Sequence, residues 1–584
     1  MKKNPLWPKP LNSLWATCRA TDGWRAQGRC RSGWISSLLS LGLVCVFSSA
    51  LVAQSSEAQL GLDKRIDRAF EPVANAWESV VLAPAPAAPA VLLLLIVGAV
   101  FFTLLFGFAN IRYFPLALRV VCGRYDKLEK SGAEPVIPVD MNEVDGDLVD
   151  TIRNEHETGE VSHFQALATA VSGTVGLGNI AGVAIAVATG GPGATFWMIV
   201  CGLLGMSTKF VECTLGVAYR DLAPDGTVHG GPMYYLSKGL KQLGFTGLGR
   251  ILGGVFATLC VLASFGGGNM FQANQATAQI QTLFGINGRL ASESASWLTQ
   301  SSGALIGLVM AAIVAVVIIG GIKRIATVTE KIVPLMALLY FAAAMVIILI
   351  NVRHVPQAFV EIFNGAFNPQ AGVGGLLGVI MVGFQRAAFS NEAGAGSAAI
   401  AHSAVRTRFP ASEGVVALLE PFIDTVVICT MTALVIVLFN IHGAFEYSME
   451  NGRNGQVLIL ESGQHVGGVD LTSLAFDSAL PNFRYALTVA VILFAFSTMI
   501  SWSYYGLQGW MYLFGRSSRS DLMFKVLFCL FVVVGSASSL DAVIRFSDAM
   551  ILALVFPNMI GLVLLAPRVR RELTRYLEAI RQTS

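Results

Sequence analysis

The sequence predicts an all-α, polytopic membrane protein. Its helices should form two five-helix sets of inverted topology, preceded by one extra transmembrane helix. Three observations predict this. Hydrophobic residues make up 54% of the 584 and charged residues 13%, with a mean hydropathy of +0.63; a soluble domain carries about 25% charged residues. Beyond a first apolar run at Ala90–Ile111, about ten more segments are apolar enough to read as spans. Two of these are interrupted by glycine-rich stretches at matching places in the two halves of the chain. Paired interruptions of this kind point to a transporter binding site.

The chain opens with a basic stretch rich in Trp and Pro, residues 1–31. An apolar run over 33–53 follows Arg29 and Arg31 and ends in small residues, the shape of a signal peptide; a retained helix is the alternative. Residues 1–53 thus read as a basic tail and leader-like segment, and 54–89 as an extracytoplasmic lead-in. Residues 90–111 read as the extra span and 112–163 as a cytoplasmic loop, first basic and then acidic. The first set, 164–350, holds segments at about 164–188, 190–219, 250–284, 303–320 and 329–350. The loop at 220–249 carries the turn signals Asp225-Gly226 and His229-Gly-Gly-Pro232. The second set, 374–565, holds segments at about 374–401, 415–439, 484–513, 522–536 and 541–565. Between them, 440–483 alternates in a way that suits a small hairpin, and 566–584 reads as a basic cytoplasmic tail.

Orientation follows from where Lys and Arg cluster. With 112–163 inside, the basic loops at 220–249, 321–328, 402–414 and 514–525 and the tail are inside as well. The loops around 285–300, 351–372, 440–483 and 537–540 fall outside and hold few basic residues. The first set then begins inside with a broken helix, and the second begins outside with one. That is an inverted 5+5 repeat, the LeuT-type arrangement.

Ser172-Gly-Thr-Val-Gly-Leu-Gly-Asn179-Ile-Ala-Gly182 is the first interruption, with four glycines in eleven residues. Each costs a helix roughly 1 kcal/mol against Ala. Non-helical backbone survives in a bilayer only where protein buries it or a wet cavity solvates it. Its freed N–H and C=O groups, with half-helix dipoles aimed into the gap, suit a small charged solute and its ion. Close helix packing is the plainer explanation. Phe389-Ser-Asn-Glu-Ala-Gly394-Ala-Gly396-Ser397 is the second interruption and carries a carboxylate at membrane depth.

Other classes find little support. A net charge of +3 gives no argument for nucleic acid. Nine cysteines include no C-x-x-C, so no disulfide framework or zinc-type site is read. The seven histidines are scattered, mostly in loops, and read as solvated. There is no Walker A, H-E-x-x-H or suitably placed G-x-S-x-G, so the chain reads as no enzyme. No filter-like repeat supports a channel. A transporter-like sensor remains a third reading.

Gly173-Thr-Val-Gly-Leu-Gly-Asn-Ile-Ala-Gly-Val183, Gly190-Gly-Pro-Gly-Ala-Thr-Phe-Trp-Met198, Gly320-Gly-Ile-Lys-Arg324, Phe389-Ser-Asn-Glu-Ala-Gly394, Phe422-Ile-Asp-Thr425 and Ser501-Trp-Ser-Tyr-Tyr-Gly506 together resemble the alanine or glycine:cation symporter family. The resemblance covers roughly 90–570; the 1–60 extension and Ile199, where a second Trp often stands, depart from it. It implies a LeuT-type fold and sodium-driven uptake of alanine or glycine across the bacterial inner membrane. On that resemblance, the solute's carboxylate would meet the break at Gly173, Thr174, Gly176, Gly178 and Asn179, with Gln272 and Asn274 within reach. Its ammonium would meet the second break at Phe389, Ser390, Asn391 and Glu392, with Glu392 more a structural or gating group than a ligand. Sodium would lie between Ser497 and Thr498 and the carbonyls of Ala170 and Gly173; back-bonding of Ser and Thr to their own helix is the alternative. Driven by protons instead, uptake would centre on Glu392. Glu212, Glu420 and Asp424 read as structural ion pairs or cytoplasmic-end charges, with Lys209 and Lys331 as partners. Trp197, Trp502, Tyr504 and Tyr505 read by default as interfacial belt residues.

Overall fold

A computed structural model describes residues 61–82, 89–130, 159–223, 227–286, 296–367, 375–447 and 455–583. The expected leader at 33–53 and the basic stretch before it lie outside the described residues, as does most of the acidic half of the 112–163 loop.

Among the described residues, seven helices are long and apolar enough to cross a membrane, or eight if one bent pair counts as a span. They are Gly193–Ala218, Thr246–Leu283, Thr327–Ile350, Pro410–His442, Arg484–Phe514, Ser518–Ala537 and Leu540–Gln582. The bent pair is His163–Thr174 with Gly178–Gly190, turning through 51°. Ala90–Leu105 and Ser302–Ile318 are shorter apolar helices.

The first broken helix starts sharply. Ser162 Oγ accepts the Gln165 N–H at 3.2 Å while Gln165 Oε1 accepts the Ser162 N–H at 3.1 Å, a reciprocal cap. Its inner half, His163–Thr174, ends at the glycine-rich stretch. A π turn at Gly178–Gly182 then leads into Val183–Gly190. The second broken helix runs Gly375–Asn391 and resumes at Ala398–His402. Between the halves, φ is +55° at Glu392, +96° at Gly394 and +85° at Gly396. Glycine takes that backbone freely, but a glutamate rarely does, so surrounding bonds must hold Glu392 there. Two further π stretches, Gly266–Met270 and Phe422–Cys429, lie in the spans that pack round the breaks.

The start of the first broken helix and the end of the second are joined through backbone. Val161 and Val405 form a parallel bridge, the Glu160 N–H donates to Ala404 O at 2.8 Å, and the Arg406 N–H donates to Val161 O at 2.9 Å. The Arg220 guanidinium donates to the carbonyls of Ser403, Val405 and Thr407 at 2.8, 2.5 and 3.0 Å.

Several element boundaries differ from expectation. The helix expected over Ala90–Ile111 stops at Leu105, because Gly107 and Phe108 both turn to positive φ. Its 16 residues reach about 24 Å, short of the ~30 Å hydrocarbon core. The 321–328 loop is helical, within Gly321–Ile350. The 220–249 loop contains the helix Pro232–Gln242, and 351–372 contains Val355–Phe367. The 54–89 lead-in contains the helix Leu62–Val81, and the 566–584 tail continues one helix, Val555–Thr583, through Pro567. These pieces are amphipathic or polar, so hydropathy passes over them. In 440–483, strands Gln456–Ile459 and Gln464–Gly467 pair antiparallel with Phe445–Glu446 beside the first, and the helix Gly468–Ala479 follows.

Candidate functional site

The first break is held by its own Asn179 together with Gln272 and Asp424 from two other helices. The Gly176 N–H donates to Asn179 Oδ1 at 2.9 Å, and the Leu177 N–H donates to Gln272 Oε1 at 3.0 Å. Gln272 is oriented by its own amide N–H donating to Gly267 O at 3.0 Å, across the π turn of its helix. Asn179 Nδ2 donates to Asp424 Oδ1 at 2.6 Å and to Asp424 O at 3.1 Å. Asp424 Oδ2 accepts from Ser390 Oγ at 2.8 Å and Thr425 Oγ1 at 2.7 Å. Asn391 Nδ2 donates to that same Thr425 hydroxyl at 2.8 Å, and Asn391 Oδ1 accepts the Ala393 N–H. The two breaks therefore meet at one carboxylate, on the π stretch Phe422–Cys429. Phe389 closes this junction with its ring edge-on to Phe271, centroids 5.0 Å apart.

There is little room at the crossing. A methyl group at Gly176 would lie 2.3 Å from Thr498 Oγ1 and 3.0 Å from Gln272 Oε1. One at Gly173 would lie 2.9 Å from the Tyr505 hydroxyl, and one at Gly178 3.5 Å from Phe389 and from Ser390. Thr174 turns away and donates to Ala170 O at 3.3 Å.

Helix Phe483–Phe514 meets the inner half-helix at Ser172. Thr498 Oγ1 donates to Ser172 O at 3.0 Å, and Ser172 Oγ donates to Ser497 O at 2.9 Å. Ser501 Oγ completes the group by donating to Ser172 Oγ at 2.9 Å. Ser497 Oγ instead bonds back to Phe494 O at 3.0 Å. Of the expected sodium set, Thr498 therefore reaches across, with Ser172 rather than Ala170 or Gly173 as its partner.

At the second break Glu392 is 2% exposed and accepts from Ser397 Oγ and, at 3.0 Å, from Trp502 Nε1. Glu212 accepts the Gly394 N–H and Asn558 Nδ2, both at 2.9 Å. A row of buried ionisable groups runs from this region to the inner end of the first half-helix. Lys209 Nζ lies 3.0 Å from Glu420, His402 bridges Glu420 and Glu413, and His163 bridges Glu413 and Glu129.

The model of the sodium:alanine symporter family matches residues 141–584, three quarters of the chain. The chain belongs to that family. It is 37% identical over 479 residues to a sodium/alanine symporter of Methanococcus maripaludis, covering 82% of this chain and 92% of that one. It is 33% identical over 470 residues to an amino-acid carrier protein of Bacillus subtilis, covering 80% and 84%. A solved structure, MhsT in complex with L-phenylalanine, matches at TM-score 0.44 and 15% identity over 71% of this chain and 99% of that one, a likeness too slight to argue from.

The symporter is thus a multi-pass membrane transporter of a cation-coupled amino-acid family. Several of its residues sit otherwise than their sequence context suggests. Asp424 is no cytoplasmic-end charge; it joins the two breaks. Asn274 faces away, donating to Gly535 O and Ser538 O at 3.1 and 2.7 Å. Trp502, Tyr504 and Tyr505 are 1%, 4% and 1% exposed, so they are core residues and no interfacial belt. His163, His229 and His402 are buried rather than solvated. Ser172 lay inside the quoted motif, yet nothing about a lone serine marked it.

A cavity of 630 Å³ opens between helix Phe271–Leu283, the 456–467 strands and helix Gly468–Ala479, on the side that the charge pattern puts outside. Gln275, Gln279, His465, Asp470 and Arg484 line it. Burial pushes the Asp470 carboxyl up to about 6, against the hydrogen bond from Thr282 that lowers it. An acid whose folded value is raised is most stable protonated, so this contribution is present at low pH and is lost as pH rises toward 6. Asp470→Asn is therefore expected to leave thermal stability near pH 4 unchanged and to raise it at pH 7.5. Equal melting temperatures for both proteins at both pH values would remove this account.

Proposed function

We propose that this chain is a secondary symporter coupling inward sodium flux to uptake of alanine, glycine or a similarly small neutral amino acid. It would work by alternating access, in the bacterial inner membrane, on an inverted 5+5 repeat of residues 164–350 and 374–565 behind one extra helix. The junction of the two breaks at Asn179, Asp424 and Ser390 carries the reading. Two N–H groups there, on Gly176 and Leu177, bond to the amide oxygens of Asn179 and Gln272. A solute carboxylate offers the same oxygen chemistry to such N–H groups. Thr498 and Gln272 stand so close to Gly176 that the chain can place no side chain of its own there, which suits a small solute. Phe389, Asn391 and Glu392 would form the facing wall. One sodium ion would sit by the Ser172 carbonyl and Thr498 Oγ1, with Ala170, Gly173 and Ser497 on the same helix pair.

Proton coupling is the second reading. It is favoured by the row Glu129–His163–Glu413–His402–Glu420–Lys209, in which acids alternate with bases. Labelled alanine uptake into proteoliposomes separates the two. Accumulation is expected only with an inward sodium gradient, with glycine competing. Uptake driven equally by a pH gradient without sodium would transfer the coupling to that row and Glu392. No uptake of alanine, glycine or serine would sink the substrate class.

A further inference from the structure

Two histidines meet on the side that the charge pattern puts outside. His354 stands just before helix Val355–Phe367, and His442 closes the span Pro410–His442. Their rings lie edge to face, with centroids 5.2 Å apart and planes at 85°. Neither residue is buried, and among the described residues neither imidazole makes a hydrogen bond or an ion pair.

The main chain under each ring is fixed. The His354 N–H donates to Asn351 O at 2.9 Å, and the His354 carbonyl accepts the Ala358 N–H at 3.0 Å. His442 ends the short 3₁₀ turn Asn440–His442. That turn is locked from beyond, where the Gly443 N–H donates to Asn440 O and the Phe445 N–H to Asn440 Oδ1, both at 2.8 Å. The adjoining residues Val355 and Ile441 pack against one apolar cluster that includes Ile362 and Leu438. The fold, not a chance contact of two loose side chains, therefore sets how far apart the histidines stand.

That separation is one a metal ion uses. An ion held tetrahedrally about 2.0–2.1 Å from one nitrogen of each of two imidazoles sets their ring centres about 5 Å apart. Zinc, copper and nickel take imidazole, whereas calcium and magnesium take oxygen. No group of three His, Cys, Asp or Glu suited to a metal occurs among the described residues, so water would complete the shell. We propose that His354 and His442 form an outer-face site for a first-row transition ion such as zinc. The ion would staple the start of helix Val355–Phe367 to the end of the span Pro410–His442. The other end of that helix is already tied to helix Gly193–Ala218, where Trp197 Nε1 donates to Ala366 O at 3.2 Å. The site rests on neither the solute nor the coupling ion proposed above.

The test counts zinc-65 bound to the purified, tag-free full-length chain, with calcium present to occupy sites made of oxygen alone. The parent is expected to hold one zinc ion more than His354→Ala and one more than His442→Ala. The double variant should hold no fewer than either single one, because both rings serve one ion. Equal counts in parent and variants would overturn the site, as would a loss in only one of the two. Two ions lost in the double variant would make them separate sites and overturn it as well. Should an alanine variant not fold, His354→Asn or His442→Asn takes its place, with the same counts expected. Amide exchange in Val355–Phe367 is expected to slow with zinc in the parent only. Exchange that bound zinc leaves unchanged would overturn the staple.

Discussion

Gly176→Ala is expected to cut sodium-driven alanine uptake about a hundredfold, the scale on which a misplacement of about 1 Å is felt at a positioned site. The added methyl would lie 2.3 Å from Thr498 Oγ1, inside any real contact distance. Thr498 is β-branched and stiff, and it already bonds to Ser172 O at 3.0 Å. It must either abandon Ser172 or push the break aside. Moving the break also loosens the Leu177 N–H from Gln272, since the same methyl lies 3.0 Å from Gln272 Oε1. Gly182→Ala is the matched control. It too lies in the glycine-rich stretch, but nothing stands within 4 Å of its added methyl. Uptake at equal membrane abundance should be near normal for Gly182→Ala. Comparable uptake by both variants would mean that close approach at Gly176 does not matter.

Lys209→Met is expected to destabilise the fold by about 3–5 kcal/mol, the cost of stranding one member of a buried ion pair. Lys209 and Glu420 are both fully buried, with Nζ and Oε1 3.0 Å apart. Removing the ammonium leaves Glu420 facing only His402, at 3.6 Å. Adding Glu420→Gln removes the stranded charge, so the double variant should recover most of the loss. Chemical unfolding of the three proteins in detergent would check this. A double variant no more stable than Lys209→Met would show that the pair is not what the lysine stabilises.

Much of this was legible in the chain. The two interruptions stand out because glycines and polar residues break apolar runs, and transfer energy makes such runs conspicuous. Gln272 could be read for the same reason, as an amide inside a span. The parts that hid did so for physical reasons. Asp424 lies 245 residues from Asn179 along the chain, and nothing local tells an acid at a helix end from one folded against a break. Helices such as Pro232–Gln242 and Val555–Thr583 are half polar, and hydropathy treats them as loop. Ala90–Leu105 ended early because two residues took positive φ, which an apolar sequence does not announce. His163 and His402 seemed solvated because their partners, Glu129 and Glu413, are polar too.

The short strand-like bridge between Val161 and Val405 has a mechanical consequence. It ties the entrance of one half-helix to the exit of the other through main-chain bonds that any substitution other than proline leaves in place. The two inner arms therefore form a single lever, which Arg220 clasps at three carbonyls. Any tilt that uncovers one break from the inner side must carry the other along or rupture the bridge. Release of solute and ion toward that side would then be one stroke rather than two.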